Sequence, residues 1–495
     1  MELFLSIAGV VFAVVFWVAS PERPRRWIRQ FGVRVLRSHP AAAAQPDMAV
    51  FGGRVELLTD QLLSRRANGV RKKHYYEAEG PLDWDIISAD ADVERDQLAE
   101  LVTQLCKSNQ SLRIVCLLGE SGVGKSTLAW RAAAELYKRH RALVVHIKGW
   151  DAPEVWYRMP EFSGMVRRPL IVLADDLFRD PDVRMALQQL SPWLPITVLA
   201  TSQTHEYRPG RLKCELIPIQ IAEAGPEERK RALVQLGKDP PAGSARPTTA
   251  DDFLVLMAEL TSGKGFQSIV QESLDGLARQ HPSISRVYEY VCFSYSYGIA
   301  VPIDLLERLD GFGNLRDLPN REGAVGLLYF DEARPNCVRP GHRKRAELAS
   351  TLFQRSRPAA VVLKELVTAA DASATAHRRF VAHLLRSVAT RSGRIINEVL
   401  PRVEEKVAMC VRQSDTIAEL GVWRALYQSA SRYEDAERVV DAALALEPAT
   451  SQDVNVALHL FRERGRERQA FAVVQRFVQM VPEWGGQWSG LFWPR

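Results

Sequence analysis

The sequence RIVCLLGESGVGKST at residues 113–127 decides the fold of this chain. It opens with an apolar run rich in strand formers, and the segment after it, TLAWRAAAELYKR, has helical spacing. The loop between them matches the pattern G-x-x-x-x-G-K-[ST], in which backbone N–H groups and a helix N-terminus face phosphate oxygens. The motif therefore predicts a three-layer α/β core built around a P-loop.

Each residue type in this loop has a physical role in holding a nucleotide. Glycines let the backbone curl around the phosphates, the Lys125 ammonium contacts the β- and γ-phosphates, and the Ser126 hydroxyl is a ligand of Mg²⁺. We therefore predict ATP or ADP with Mg²⁺ as the cofactors, and count Lys125 also as catalytic. The predicted nucleotide-binding residues are Gly119, Glu120, Ser121, Gly122, Val123, Gly124, Lys125, Ser126 and Thr127.

A second apolar run, PLIVLADDLF at residues 169–178, indicates a buried strand that ends in two acids. Asp175 is the expected ligand of Mg²⁺, through its water shell, and Asp176 the residue that orients or polarises the attacking water. Two such acids can also merely cap the next helix. A P-loop at this distance ahead of them favours the catalytic interpretation.

A third strand begins at Pro195, PITVLATSQTHEYR, and its exit carries polar side chains to the same edge of the sheet. Thr201 is our candidate there for a contact to the γ-phosphate. A plain polar loop is the alternative, and the residues alone leave both open.

The first fifty residues predict a membrane anchor. Residues 3–19 carry no charge, and at about 1.5 Å per residue they are near the lower limit for spanning a bilayer. Six arginines follow between residues 23 and 37, which places that flank in the cytoplasm, and the segment before the apolar run has no Lys or Arg, unlike a signal peptide. We therefore expect a single-pass protein of the bacterial inner membrane, with its N-terminus outside and its body cytoplasmic.

Size and composition set wider bounds. A chain of 495 residues predicts about three domains, and its net charge of +6 is mild for that length. The six cysteines are scattered without ligand-like spacing, which argues against a zinc site or a disulfide framework. Nucleic acid is not an expected partner.

The order of these motifs resembles the STAND class of signal-transducing ATPases, relatives of NB-ARC and AAA+ proteins that are common in bacterial defence. The resemblance covers roughly residues 84–350. It implies that Val93 and Arg95, in the lead-in WDIISADADVERDQLAEL, touch the adenine side of the nucleotide. It also implies that His342, in RPGHRKRAE, contacts the β-phosphate and holds an ADP form closed. Gln203 stands where the family has an arginine that senses the γ-phosphate, which implies slow hydrolysis.

The last third of the chain predicts helix after helix. Tyr427 and Phe461 are separated by 34 residues, as are Pro448 and Pro482, which is the length of a tetratricopeptide (TPR) repeat. Such repeats offer a concave surface for a protein or peptide partner, with a purely structural cap as the alternative. The predicted organisation is a transmembrane helix at 1–20, a basic juxtamembrane segment and linker at 21–50, a lead-in at 51–110, the P-loop core at 111–225, a helical lid at 226–277, a winged helix at 278–350 and an all-α domain at 351–495 with TPR-like repeats at about 417–484.

Together these features predict an ATP-dependent signalling switch that hydrolyses slowly and self-assembles in the ATP state. Two alternatives stay open. A hydrolytic AAA+ motor would need an arginine finger and a pore loop, which no segment identifies. A DNA-binding regulator would use the winged helix, whose basic run at residues 339–345 makes this possible.

Overall fold

The computed structural model describes most of residues 51–446 and single residues between 453 and 472. Within the first range the gaps are 52, 66–68, 78–81, 108–110, 141, 150–152, 167, 180, 211, 238–251, 310–314, 322 and 332–333. The predicted membrane helix, the basic segment and most of the second repeat lie outside the described residues. Among the helices that are described, none has the length and apolar character to cross a bilayer.

A six-stranded mixed sheet forms the first half of the described chain. Its order is β1-β3-β4-β5-β2-β6, with β1 antiparallel to β3 and all other pairs parallel. The P-loop strand β2 and the acid-bearing strand β4 are therefore separated by β5, and their carboxyl ends lie at one edge. The strands are β1 (Val55–Leu57), β2 (Arg113–Leu118), β3 (Leu143–Ile147), β4 (Leu170–Ala174), β5 (Ile196–Ser202) and β6 (Glu215–Gln220).

Alternation along β2 shows why the sheet has two covered faces. Ile114 and Cys116 pack in one apolar cluster with α6 and α7, while Val115 and Leu117 pack in another with α3, α4 and α5. Two buried faces of one sheet give the mixed α/β core that the P-loop motif predicts. The helices are α1 (Asp60–Ser64), α2 (Gly69–Tyr76), α3 (Trp84–Ser88), α4 (Leu98–Leu105), α5 (Lys125–His140), α6 (Pro153–Met165) and α7 (Pro181–Gln189).

The lead-in takes part in this core. Residues 55–57 form the edge strand β1, which pairs with β3, although the predicted core begins at 111. The alternation of VEL over only three residues carries too little signal to be recognised as a strand. We call β1–β6 with α1–α7, residues 51–220, the sheet body.

The region predicted as the lid, residues 226–277, contains α8 (Pro226–Gln235), α9 (Phe253–Ser262) and most of α10 (Phe266–Gln280) in its described part. After it comes a unit with the elements of a winged helix, in which three helices accompany a small antiparallel sheet of order β7-β9-β8. Its elements are α11 (Pro282–Ser296), β7 (Val301–Pro302), α12 (Ile303–Glu307), β8 (Leu328–Asp331), β9 (Arg334–Pro340) and α13 (Arg343–Phe353), and α10 (Phe266–Gln280) precedes them.

The remaining helices continue the same apolar core. One cluster of buried side chains extends from Ala258 to Phe461, with no break at the predicted boundary at 350. We call α10–α19 with β7–β9, residues 266–461, the helical body. Its last helices are α14 (Ala359–Ala369), α15 (Thr375–Arg391), α16 (Gly393–Val399), α17 (Glu404–Arg412), α18 (Ile417–Ser429) and α19 (Tyr433–Ala445).

Candidate nucleotide site

The P-loop has a backbone that only glycine adopts readily. Gly122 and Gly124 have φ of +99° and +90°, in the left-handed region. A Cβ atom on Gly124 would lie 2.8 Å from Nη1 of Arg95, so a side chain at this position would displace the Arg95 guanidinium. Because β2 ends at Leu118 and α5 begins at Lys125, the loop presents its N–H groups at the start of a 16-residue helix. This geometry fits a phosphate chain.

Arg95 supports the loop from behind. Its Nη1 donates to the Val123 carbonyl (2.5 Å), its Nη2 to the Ala222 carbonyl (2.8 Å) and its Nε to Glu228 Oε1 (2.9 Å). Val93 packs into a small apolar cluster with residues of the lid. The P-loop forms part of the wall of a cavity, and neither Arg95 nor Val93 is among the described residues that line it. Their predicted contact with adenine therefore stays a prediction.

Lys125 folds back onto the loop that carries it. Its Nζ donates to the carbonyls of Gly119 (2.9 Å) and Glu120 (2.7 Å), and the residue is 6% exposed. Burial lowers the pKa of Lys125, while the charges of Asp176 and Asp175 oppose that shift. The ammonium thus has two neutral acceptors, which anionic phosphate oxygens can replace with stronger hydrogen bonds.

The two acids after β4 are held by a side chain of the strand between β4 and β2. Thr201 donates from its hydroxyl to Asp175 Oδ1 (2.9 Å) and accepts from the Asp176 backbone N–H (3.0 Å). Trp130 Nε1 donates to Asp175 Oδ2 at 3.0 Å. Each carboxylate oxygen keeps a lone pair for a water of a hydrated metal ion. Thr201 therefore orients the acids from below and does not line the cavity, and the γ-phosphate contact we predicted for it remains untested.

A cavity of about 300 Å³ lies above the loop, and both bodies line it. Of the predicted residues, the structure brings Ser121, Gly122, Gly124, Lys125, Ser126, Thr127, Asp175, Asp176 and His342 to its wall, together with Gln203. The helical body contributes more than His342. Its other lining residues include Tyr295, Gly298, Asp331, Arg334, Arg339 and Arg343.

His342 forms the N-cap of α13. Its Nδ1 accepts from the Lys344 backbone N–H at 3.1 Å, so in the neutral ring the proton resides on Nε2. Burial, followed by the charge of Lys125, lowers the pKa of His342 to about 4. The imidazole is therefore neutral at pH 7 and offers Nε2–H as a donor.

An aromatic and charged cluster beside the acids escaped the sequence analysis. Trp130 lies between Trp84 and His146, with ring centroids 4.4 and 4.5 Å away. Glu56 accepts from Trp84 Nε1 at 3.1 Å, and its interactions with His146 and then Lys148 lower the pKa of Glu56 to about 2 despite its burial. None of these side chains carried a signal of its own, since even Trp130, in the helix predicted after the P-loop, is five residues from Lys125, a spacing that does not return to one face.

The strand, loop, helix and acid pair define a P-loop NTPase. Residues 74–213 match the family described as Novel STAND NTPase 5, which supports a STAND-class NTPase in this part of the chain. The chain is also similar to the crystal structure of a STAND protein with a tetratricopeptide repeat sensor from Pyrococcus horikoshii, at 12% identity and a TM-score of 0.31. That alignment covers 82% of this chain and 66% of the other. No curated protein matches the sequence.

Proposed function

We propose that the protein is an ATP-operated switch in which the bound nucleotide controls the contact between the sheet body and the helical body. One observation carries the proposal: a single cavity is lined by the P-loop and acids of the sheet body and by His342 and Arg343 of the helical body. A ligand held in that cavity touches both bodies at once. A nucleotide with a longer or a shorter phosphate chain would contact the two bodies differently. It would therefore favour a different position of one body relative to the other, which is the requirement for a switch.

The contacts between the bodies at this edge suit a reversible interface. Arg343 Nη2 donates to Glu206 Oε1 at 3.3 Å, and Arg391 of α15 donates to the same oxygen. Arg179, just after the acid pair, donates to the Tyr297 carbonyl. These are ion pairs and hydrogen bonds, whose partners water can replace when the bodies separate at this edge.

The nucleotide would be held by residues already positioned for it. Lys125 would exchange its two carbonyl partners for phosphate oxygens, and Ser126 with Asp175 would hold Mg²⁺ and its waters. Bound Mg²⁺ would neutralise charge on the phosphate oxygens. Asp176, the second residue after β4, whose backbone has φ of +50°, would orient a water molecule.

Slow turnover is part of the proposal. Gln203 is buried at the cavity wall and carries no charge. Gln203 follows β5, and as a neutral residue it supplies no cation there to stabilise the charge that develops on the γ-phosphate. Slow hydrolysis suits a switch better than a motor.

The basic run of the winged helix does not favour the alternative of DNA binding. Arg343 and Arg345 are 8% and 2% exposed. Arg345 donates to the Glu77 carbonyl at 3.2 Å and to Ser273 Oγ at 2.9 Å. Side chains buried in this way cannot reach the phosphates of a duplex.

The proposal extends to the surroundings of the switch. We place it at the cytoplasmic face of a bacterial membrane, anchored by residues 1–20, with a protein or peptide partner at the C-terminal repeats and self-assembly in the ATP state. A role in defence signalling follows only from the resemblance. Recovery of the full chain in carbonate-washed membranes would support the anchor, and recovery in the soluble fraction would contradict it.

His342→Ala is expected to release ADP about tenfold faster than the parent. The substitution removes a donor to the β-phosphate, and a hydrogen bond to a charged group contributes about 1.5–3 kcal/mol. Stopped-flow displacement of a fluorescent ADP would measure the rate, and light scattering would show whether the variant assembles at lower ATP concentration.

Arg355→Ala is the matched control, because this exposed arginine lies just beyond the end of α13 and away from the cavity. The neighbouring Arg343 is unsuitable as a control, because it is buried with Nη1 3.8 Å from Asp176 Oδ2. Equal ADP release by the parent and by His342→Ala would remove His342 from the proposed switch.

A further inference from the structure

Arg343 is a buried cation with unused hydrogen-bonding capacity. The residue is 8% exposed, and its Nη2 donates to Glu206 Oε1 at 3.3 Å. Its Nη1 lies 3.8 Å from Asp176 Oδ2 and its Nε lies 3.2 Å from Glu347 Oε1, yet neither nitrogen makes a hydrogen bond. A guanidinium rarely leaves buried N–H groups unsatisfied. The side chain is thus prepared for a further acceptor.

The surroundings indicate what that acceptor is. Arg343 lines the cavity above the P-loop, and its charge is among those that lower the pKa of Lys125. The described wall of the cavity carries five cationic side chains and three carboxylates. The cations are Lys125, Lys148, Arg334, Arg339 and Arg343, and the carboxylates are Asp175, Asp176 and Asp331. Such a wall favours an anion of several charges.

The position of Asp176 indicates which part of that anion Arg343 would contact. An acid that orients the attacking water lies beside the terminal phosphate, and Arg343 is the cation of the helical body that approaches this acid. From the sheet edge, the neutral Gln203 offers no cation. We propose that Arg343 binds the γ-phosphate and so distinguishes a nucleoside triphosphate from a diphosphate, a role that rests on the proposed nucleotide switch.

This contact has a consequence for the interface. Glu206 is shared by Arg343 and Arg391, so it joins the sheet edge to α13 and to α15. A γ-phosphate competes with Glu206 for Arg343, since a phosphate offers the guanidinium several anionic acceptors. Glu206 then keeps Arg391 but loses Arg343, so the sheet edge loses its ion pair to α13. In the diphosphate form Arg343 stays with Glu206.

The test is calorimetry of the full chain with Mg²⁺ and either ADP or a non-hydrolysable ATP analogue. Arg343→Gln is expected to lower the affinity for the triphosphate about tenfold or more, and to leave ADP affinity within about threefold. Arg343→Lys keeps the positive charge but loses the paired N–H donors of the guanidinium. Its affinity for the triphosphate should therefore lie between those of the parent and of Arg343→Gln. Arg355→Gln removes the same charge outside the cavity and should match the parent.

Glu206→Gln provides a second measurement that keeps Arg343 in place. It weakens the competing acceptor, so triphosphate affinity should rise relative to ADP affinity. If Arg343→Gln melts at a much lower temperature without nucleotide, Glu206→Gln and Arg343→Lys decide the question. Equal losses for both nucleotides in Arg343→Gln, or an unchanged affinity ratio in these variants, would overturn the inference. A parent chain that binds neither nucleotide would instead overturn the proposed function.

Discussion

Lys125→Ala should lower the affinity for ATP and ADP by at least about 100-fold, because charge-assisted bonds to two phosphates are lost together. The ammonium is within the first turn of α5, and among the described residues its hydrogen-bond partners are the carbonyls of Gly119 and Glu120. Calorimetry of the full chain with Mg²⁺ and each nucleotide gives both affinities.

The fold should survive this change, although Lys125 is a buried residue. Two hydrogen bonds to the loop are lost, while the apolar clusters on both faces of the sheet keep all of their side chains. Lys138→Ala, at the exposed end of the same helix, is the matched control. If Lys125→Ala bound ATP as tightly as the parent, the loop would not be the nucleotide site.

Asp176→Asn should reduce hydrolysis by about 10²-fold or more, in the range of general-base contributions, and leave ATP affinity within a few fold. The carboxylate faces the cavity and is 3.5 Å from Arg179 and 3.8 Å from Arg343, so its charge and not its shape is what the variant removes. Single-turnover hydrolysis of labelled ATP is the appropriate measurement, because steady-state turnover is expected to be slow.

Asp275→Asn, on the exposed face of α10, controls for the loss of one carboxylate. Parental hydrolysis by Asp176→Asn would mean that the second acid only supports the turn after β4. A parallel loss of binding would instead place Asp176 among the ligands that hold the nucleotide.

The parts of the site that the sequence predicted are those made by contiguous residues. The strand, the P-loop and the helix follow one another from Arg113, and the acid pair ends an apolar run, so spacing alone locates them. Tyr75 and Lys148 reach the same cavity from segments with no motif of their own. Their positions depend on the sheet order, in which β3 lies next to β4, and no local pattern encodes that order.

Arg343 illustrates the same limit for electrostatics. In sequence it belongs to a basic run, where a solvated arginine is the ordinary outcome. Packing of α13 against the sheet edge places Arg343 between Asp176 and Glu206. These acids precede it in the sequence by 167 and 137 residues. The continuous core of the helical body was missed for a related reason, because contacts between α11 and the later helices join segments that sequence periodicity treats one at a time.

The central claim is that the nucleotide controls the contact between the two bodies, and a distance between them tests it most directly. Spin labels at residues 138 and 412, both exposed on α5 and α17, would report this distance by pulsed electron resonance once Cys106 and Cys214 are replaced by serine. The account predicts one distance with ADP and Mg²⁺, and a second, longer population with a non-hydrolysable ATP analogue. His342→Ala should already show the longer population with ADP. The same distribution with ADP, with the analogue and in the variant would contradict the account.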